Sequence, residues 1–336
     1  MIKFIKNSPT GATAFYIMLN TALTSLLGFA YWSLAASKLA PNELGIASTG
    51  VPVMGLAFIL SSSGLVATIM VFQSRGNFTK NSFITLSLLL PILSLALTPL
   101  LIKITGDNGK ILFNKENLYL LLLGAALTTL SAIVDAVLIT AKKSFLMLVK
   151  NVLTSLLKLI ALALNANPTP SFLLSTYAFS LVVTLFFLRP SISPLPKISD
   201  NSEQRVTFKK TFKDNHISSI SSQMPSYILP LIVTNQIGTS ANAVFYIAWL
   251  ISGAFFMISP ALSSAYLTTK AKSHDGSLKL FKTTMIANIS LIILASSAMY
   301  AISKPLLNAY QPGYAQSANT LLLILVASSL PNAVTN

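Results

Sequence analysis

Apolar runs of about 20 residues recur along the whole chain, separated by short segments that carry most of the lysines. A helix of that length, rising about 1.5 Å per residue, crosses the hydrocarbon layer of a membrane. It also satisfies its own backbone hydrogen bonds where no water can, so the chain is confined to an all-α, polytopic membrane architecture. Composition agrees. Of 336 residues, 53 % are hydrophobic and 9 % charged, whereas a soluble domain carries roughly 25 % charged residues. The net charge of +15 then reads as membrane topology rather than nucleic-acid binding, because the cations sit in loops between apolar runs. There is no cysteine, which excludes disulfides and thiolate chemistry.

The runs predict about ten transmembrane helices, near 12–37, 44–72, 82–104, 118–141, 144–165, 171–188, 215–237, 241–269, 281–302 and from 318 onward. Pro41-Asn42-Glu43 suits a helix start, Pro91 a kink, and Ser61-Ser62-Ser63-Gly64 close helix packing. The longest polar segment follows Arg189 and holds Pro190, Pro194 and Pro196. It divides the chain into a six-helix lobe (1–189), a cytoplasmic linker (190–214) and a second lobe (215–336, helices 7–10). Helices 7 and 8 repeat the layout of helices 1 and 2 about 201 residues later, where Ile46-Ala47 meets Ile247-Ala248 and Ser62-Ser63 meets Ser263-Ser264. Six helices per half leave both halves in the same orientation, a parallel repeat of the transporter kind. On that offset Asn336 falls inside the counterpart of helix 4. The second lobe is therefore expected to be incomplete, with two further helices needed to match the first.

The segment 131–158 carries the charges that matter most. Apolar residues run up to a basic elbow, Lys142-Lys143, and away again, with Asp135 on the first arm and Lys150 and Lys158 on the second. Charges within the apolar layer are costly unless paired or facing a wet cavity. Asp135 and Lys150 each lie roughly 10–12 Å from the elbow, so they are predicted to meet as a structural ion pair. Lys150, Thr154 and Lys158, spaced by four, share one helix face. Asn151 widens that stripe. Helix 7 is rich in hydroxyls and includes Ser222 and Gln223. These residues are expected to line a substrate cavity. No clustered metal ligands, nucleotide-binding loop or paired catalytic carboxylates occur in the sequence, so neither an enzyme nor a cofactor is expected.

Four stretches carry a family resemblance: AASKLAPNELGIAS (35–48), VDAVLITAKKSFLMLVKNVLTSLLKL (134–159), YIAWLISGAFFMISPALSSAYL (246–267) and PGYAQSANTLLLILVASSLP (312–331). They resemble the polysaccharide-export flippases of the multidrug/oligosaccharidyl-lipid/polysaccharide exporter superfamily. The resemblance implies two six-helix lobes around a central cavity and alternating access. It also implies an undecaprenyl-pyrophosphate-linked oligosaccharide as cargo, held by cavity cations that Lys150 and Lys158 match. Surface polysaccharide or lipopolysaccharide biosynthesis would be the setting. A cation-coupled multidrug antiporter of the same fold and a membrane-embedded polysaccharide polymerase or ligase are the rival readings. The antiporter would require cavity carboxylates, and Asp135 is the single acid within the apolar runs.

Sixteen of the 23 Lys and Arg fall in loops on the side of the N-terminus, against five (Lys38, Lys103, Lys110, Lys115 and Lys304) opposite. This places the N-terminus in the cytoplasm of a cell-membrane protein. Single cysteines at positions 108 and 200, treated on intact cells with a membrane-impermeant thiol reagent, should label at 108 and not at 200. The reverse result would invert the topology.

Overall fold

The computed structural model describes residues 9–74, 80–188, 202–259, 262–263, 266, 278–310 and 314–331. These residues form ten α-helices and one 3₁₀ segment, with no strand among them: α1 Pro9–Lys38, α2 Pro41–Ser74, α3 Lys80–Lys103, the 3₁₀ turn Asp107–Phe113, α4 Lys115–Thr140, α5 Ser144–Leu164, α6 Pro170–Leu188, α7 Ser202–Gln236, α8 Thr239–Phe256, α9 Leu278–Asn308 and α10 Tyr314–Ala327. Seven of them (α1, α2, α4, α5, α6, α8 and α9) are long and apolar enough to cross a membrane. The chain is an all-α, multi-pass membrane protein.

Local signals set the helix boundaries. Pro41 opens α2 at the position where its missing N–H costs nothing, and the Glu43 carboxylate accepts from the Ala40 N–H at 3.3 Å, half of a capping box. The basic elbow closes α4 with a Schellman turn. Lys143 N–H donates to the Leu138 carbonyl at 2.8 Å and Lys142 N–H to the Ile139 carbonyl at 3.1 Å. Lys142 occupies the left-handed position, φ 59°, where glycine is the usual residue. At the opposite end of the hairpin the Lys38 ammonium donates to the carbonyls of Leu162 (2.9 Å), Ala163 (3.1 Å) and Asn165 (2.7 Å). A cation there completes the orphan carbonyls and opposes the negative pole of α5.

By packing, the chain forms two compact units, Met1–Asn242 and Ala243–Asn336. In the first, Val53, Met54, Leu56 and Ala57 of α2 centre a core with Leu101, Ile102, Leu121, Ala125, Leu174 and Leu231. In the second, Ser259 donates to the Asn288 side chain at 3.2 Å, and Phe245 and Trp249 stack at 5.7 Å.

The packing boundary differs from the expected linker at 190–214. Residues 189–201 lie outside those described, but α7 already begins at Ser202 rather than at Asn215. The reason is that the first turns of α7 carry packing residues of their own. Phe208 and Phe212, one turn apart, pack against Leu65, Ile69, Leu90 and Ile133. Helix α8 is described to Phe256, short of the expected end near 269, and most of 260–277 lies outside the described residues.

Helix α7 runs antiparallel along α2. A Cβ on Gly45 would stand 1.8 Å from the Thr239 carbonyl oxygen, and one on Gly64 would stand 2.4 Å from the His216 Cα. Glycine is required at both because backbone occupies the space. Polar groups then close across the narrow seam: Thr49 to Thr234 at 2.6 Å, and the Asn242 amide to Thr49 at 2.9 Å and to Ser48 at 3.2 Å. A β-carbon at Gly28, by contrast, would meet nothing within 4 Å. Gly64→Val should therefore lower the detergent melting temperature by several degrees, the effect of an overpacked core, while Gly28→Val leaves it unchanged. Equal effects from the two would show that the seam is not closely packed.

Candidate substrate site and intramembrane charges

Helix α5 separates two environments. Val149, Leu153, Leu156 and Ile160 are exposed, while Lys150, Thr154 and Ser155 are buried. Asp135 lies seven residues before the left-handed elbow residue Lys142 and Lys150 eight after it, so the antiparallel arms bring them to one depth. Lys150 Nζ lies 2.9 Å from Asp135 Oδ1, with no exposed surface on the lysine side chain. The ammonium also donates to the Ser131 carbonyl at 3.2 Å and to the Ser131 hydroxyl. Two of its N–H donors are thereby engaged by Ser131, and the charge itself is met by the Asp135 carboxylate. The Asn151 amide donates to Asp135 Oδ2 at 3.2 Å. Thr154 donates to the Lys150 carbonyl at 2.8 Å, and its oxygen stands 2.9 Å from the Thr184 hydroxyl of α6.

Lys150, Asn151 and Thr154 are committed to one another and to α4 and α6, inside the helix bundle. Ser222 and Gln223 are exposed on α7, where Ser222 donates to the Ser218 carbonyl of its own helix at 2.9 Å. The neighbours of Ser222 and Gln223 on α7 that pack inward, Met224 and Tyr227, meet the apolar core around α2. The α5 stripe therefore does not form one polar cluster with Ser222 and Gln223. Helical periodicity puts residues on a face but leaves open which neighbour that face meets.

Lys158 stands apart. Among the described residues its ammonium meets no carboxylate and no hydrogen-bond acceptor. Aromatic rings surround it instead: Nζ is 4.1 Å from the Tyr177 ring centroid and 5.9 Å from that of Tyr31. Tyr31 is held from behind, its hydroxyl 2.9 Å from the Thr176 hydroxyl and 3.3 Å from the Leu173 carbonyl. The rings brace each other edge to face, Tyr31 to Tyr177 at 5.7 Å and Tyr31 to Trp32 at 5.5 Å. The sequence pointed to a cavity cation facing water or an anionic cargo and gave no direct sign of the rings. The available signal was depth. Tyr31, Lys158 and Tyr177 each lie six or seven residues from the same end of α1, α5 and α6, roughly 10 Å in.

No protein-family model matches the sequence, and no curated protein matches it either. Solved structures do match. An inward-facing multidrug-resistance MATE transporter of the MOP superfamily aligns with TM-score 0.67 at 17 % identity, over 91 % of this chain and 76 % of its own. The lipid II flippase MurJ, in an inward closed conformation, aligns with TM-score 0.70 at 16 % identity, over 95 % and 73 %. A MOP-superfamily transporter from Pyrococcus furiosus, described by a reversed polarity of its binding pocket, aligns with TM-score 0.53 at 12 % identity, over 99 % and 84 %.

The chain has the two-lobe helical fold of the MOP-superfamily transporters. At these identities the likeness is one of fold, and the MOP fold is common to chains that differ in the polarity of their pockets. The charges of this chain are therefore what distinguish its chemistry. Asp135 and Lys150 pair, and Lys158 has no carboxylate partner among the described residues.

For the pair, removing one partner strands a buried charge and should cost about 3–5 kcal/mol. Lys150→Met or Asp135→Leu alone should sharply reduce folded protein in the membrane, and the double variant should recover most of it. Fluorescence-detected size exclusion of the three proteins checks this. A double variant no better than either single would exclude the pairing.

Proposed function

We propose that this protein moves a lipid-linked, anionic oligosaccharide of the undecaprenyl-pyrophosphate type across the cytoplasmic membrane by alternating access, as part of surface polysaccharide assembly. The observation that carries this reading is the charge of Lys158 in a helix long and apolar enough to span a membrane, without a carboxylate partner among the described residues. A pyrophosphate cannot cross the apolar layer bare, and a fixed cation lowers that barrier while the lipid tail remains in the bilayer. An organic-cation carrier requires the opposite sign. The similarity in fold to a protein described as a lipid II flippase supports the choice of cargo class, and the N-terminus is taken as cytoplasmic from the loop charges.

The antiporter reading draws on the comparable similarity to a multidrug MATE transporter and on Asp135. Asp135, however, lies 2.9 Å from Lys150 and is occupied by it. An antiporter would confer resistance to cationic drugs that is lost in Asp135→Asn, whereas the flippase would not.

A charge-assisted hydrogen bond to a phosphate oxygen contributes about 1.5–3 kcal/mol, roughly 10- to 100-fold in affinity. In a cellular export assay at equal membrane levels, Lys158→Gln should therefore reduce export by about that factor. Lys158→Arg should retain part of it, since charge persists while the donor geometry changes. Wild-type export by Lys158→Gln would remove Lys158 from the transport mechanism.

A further inference from the structure

Rings from two helices, Tyr31 of α1 and Tyr177 of α6, face the amino group of Lys158 on a third. Tyr31 is locked by two hydrogen bonds, Trp32 is buried beside it, and Tyr177 presents its face to the ammonium at 4.1 Å. Ring faces carry negative potential and attract a cation, the more so when water is excluded. They offer no hydrogen-bond acceptor, so the three N–H groups of the ammonium stay without acceptors among the described residues. Lys158 itself is half-buried and rides on a flexible stem. This arrangement holds a charge without satisfying it.

We infer that Tyr31 and Tyr177 form a resting seat for the Lys158 ammonium, which the lysine leaves when an anionic phosphate-type headgroup engages it. The inference rests on the flippase reading and adds positioning residues to it. In the unloaded protein the seat keeps the cation from being stranded in the apolar layer. It also sets a threshold, because an anion must offer more than the rings do. Phosphate oxygens meet that threshold by accepting the N–H bonds that the rings leave unmade, whereas a neutral lipid alcohol does not.

The seat predicts an effect of unusual sign. Removing the Tyr177 ring raises the energy of the unloaded state and leaves the loaded state unchanged, so the anion should bind more tightly. A ring of merely structural importance would, on removal, weaken binding or leave it alone. The protein has two tryptophans, so Trp249→Phe leaves Trp32, in the wall of the seat, as the sole fluorescent reporter.

In phosphatidylcholine nanodiscs, the full chain carrying Trp249→Phe would be titrated with farnesyl pyrophosphate, with inorganic pyrophosphate and farnesol as separate arms. Acetylation footprinting of Lys158 would run in parallel. The expected result is a saturable change in Trp32 emission with farnesyl pyrophosphate, none with farnesol, and none for either in Lys158→Met. A response to inorganic pyrophosphate as well would show that the headgroup alone displaces the lysine. A response to farnesyl pyrophosphate alone would show that the lipid tail helps to deliver it. Both of these outcomes agree with the seat. Tyr177→Leu should bind farnesyl pyrophosphate about tenfold more tightly and acetylate faster at Lys158 without ligand. Tyr177→Phe, which keeps the ring face, should match wild type within about twofold on both. If Tyr177→Leu does not fold, Tyr177→Met replaces it, and wild-type acetylation with and without farnesyl pyrophosphate reads the same displacement. Binding that Tyr177→Leu or Tyr177→Met leaves unchanged or weaker overturns the seat while the flippase reading stands. Absence of anion binding in every variant overturns both.

Discussion

A lysine ammonium with no exposed surface, 2.9 Å from an aspartate on the neighbouring helix, is the contact that fixes the α4–α5 hairpin. The apolar layer supplies no water to solvate either charge, so neither arm can slide or rotate without stranding one of them. Ser131 accepts from the Lys150 ammonium and Asn151 donates to Asp135 Oδ2, and added hydrogen bonds of this kind lower the cost of holding such a pair. The position of α5 follows from this clasp together with the Lys38 cap on its last carbonyls. α5 then carries Lys158 to its place.

Lys158 is handled by different physics. A desolvated cation–π contact contributes about 2 kcal/mol, while the effective penalty for burying an ion is several kcal/mol. The rings therefore soften the burial of this charge without cancelling it. Within one helix hairpin the protein thus holds one lysine paired with a carboxylate and one that, among the described residues, meets only ring faces. The two lysines lie two turns apart on the same stripe and are chemically identical in sequence. Their environments differ all the same: a carboxylate for one, ring faces for the other.

The α2–α7 seam shows a third response to the same solvent. Helices in lipid gain little from apolar contact alone, so close approach of small residues and buried hydroxyl pairs hold them. Gly45 and Gly64 admit backbone to backbone, and Thr49, Thr234 and Asn242 bond across the gap. This packing draws α7 into the compact unit that also contains α1 to α6, although a polar segment separates them in sequence.

The all-α membrane class, the helix boundaries to within a few residues for α1 to α6, and the meeting of Asp135 with Lys150 were legible in the sequence. They depend on quantities that a linear pattern contains: run length against membrane thickness, and equal spacing of two charges from a turn. The start of α7 was not legible, because a charged amphipathic turn resembles a linker until Phe208 and Phe212 find the pocket that receives them. Nor was the destination of the α5 stripe. Thr154 turned to α6, and Ser222 and Gln223 remained exposed, since periodicity sets faces but not partners. The surroundings of Lys158 were decided by tertiary structure alone. Its rings come from Tyr31 and Tyr177, more than 140 positions apart, and only the packing of α1 and α6 around α5 brings them to one point.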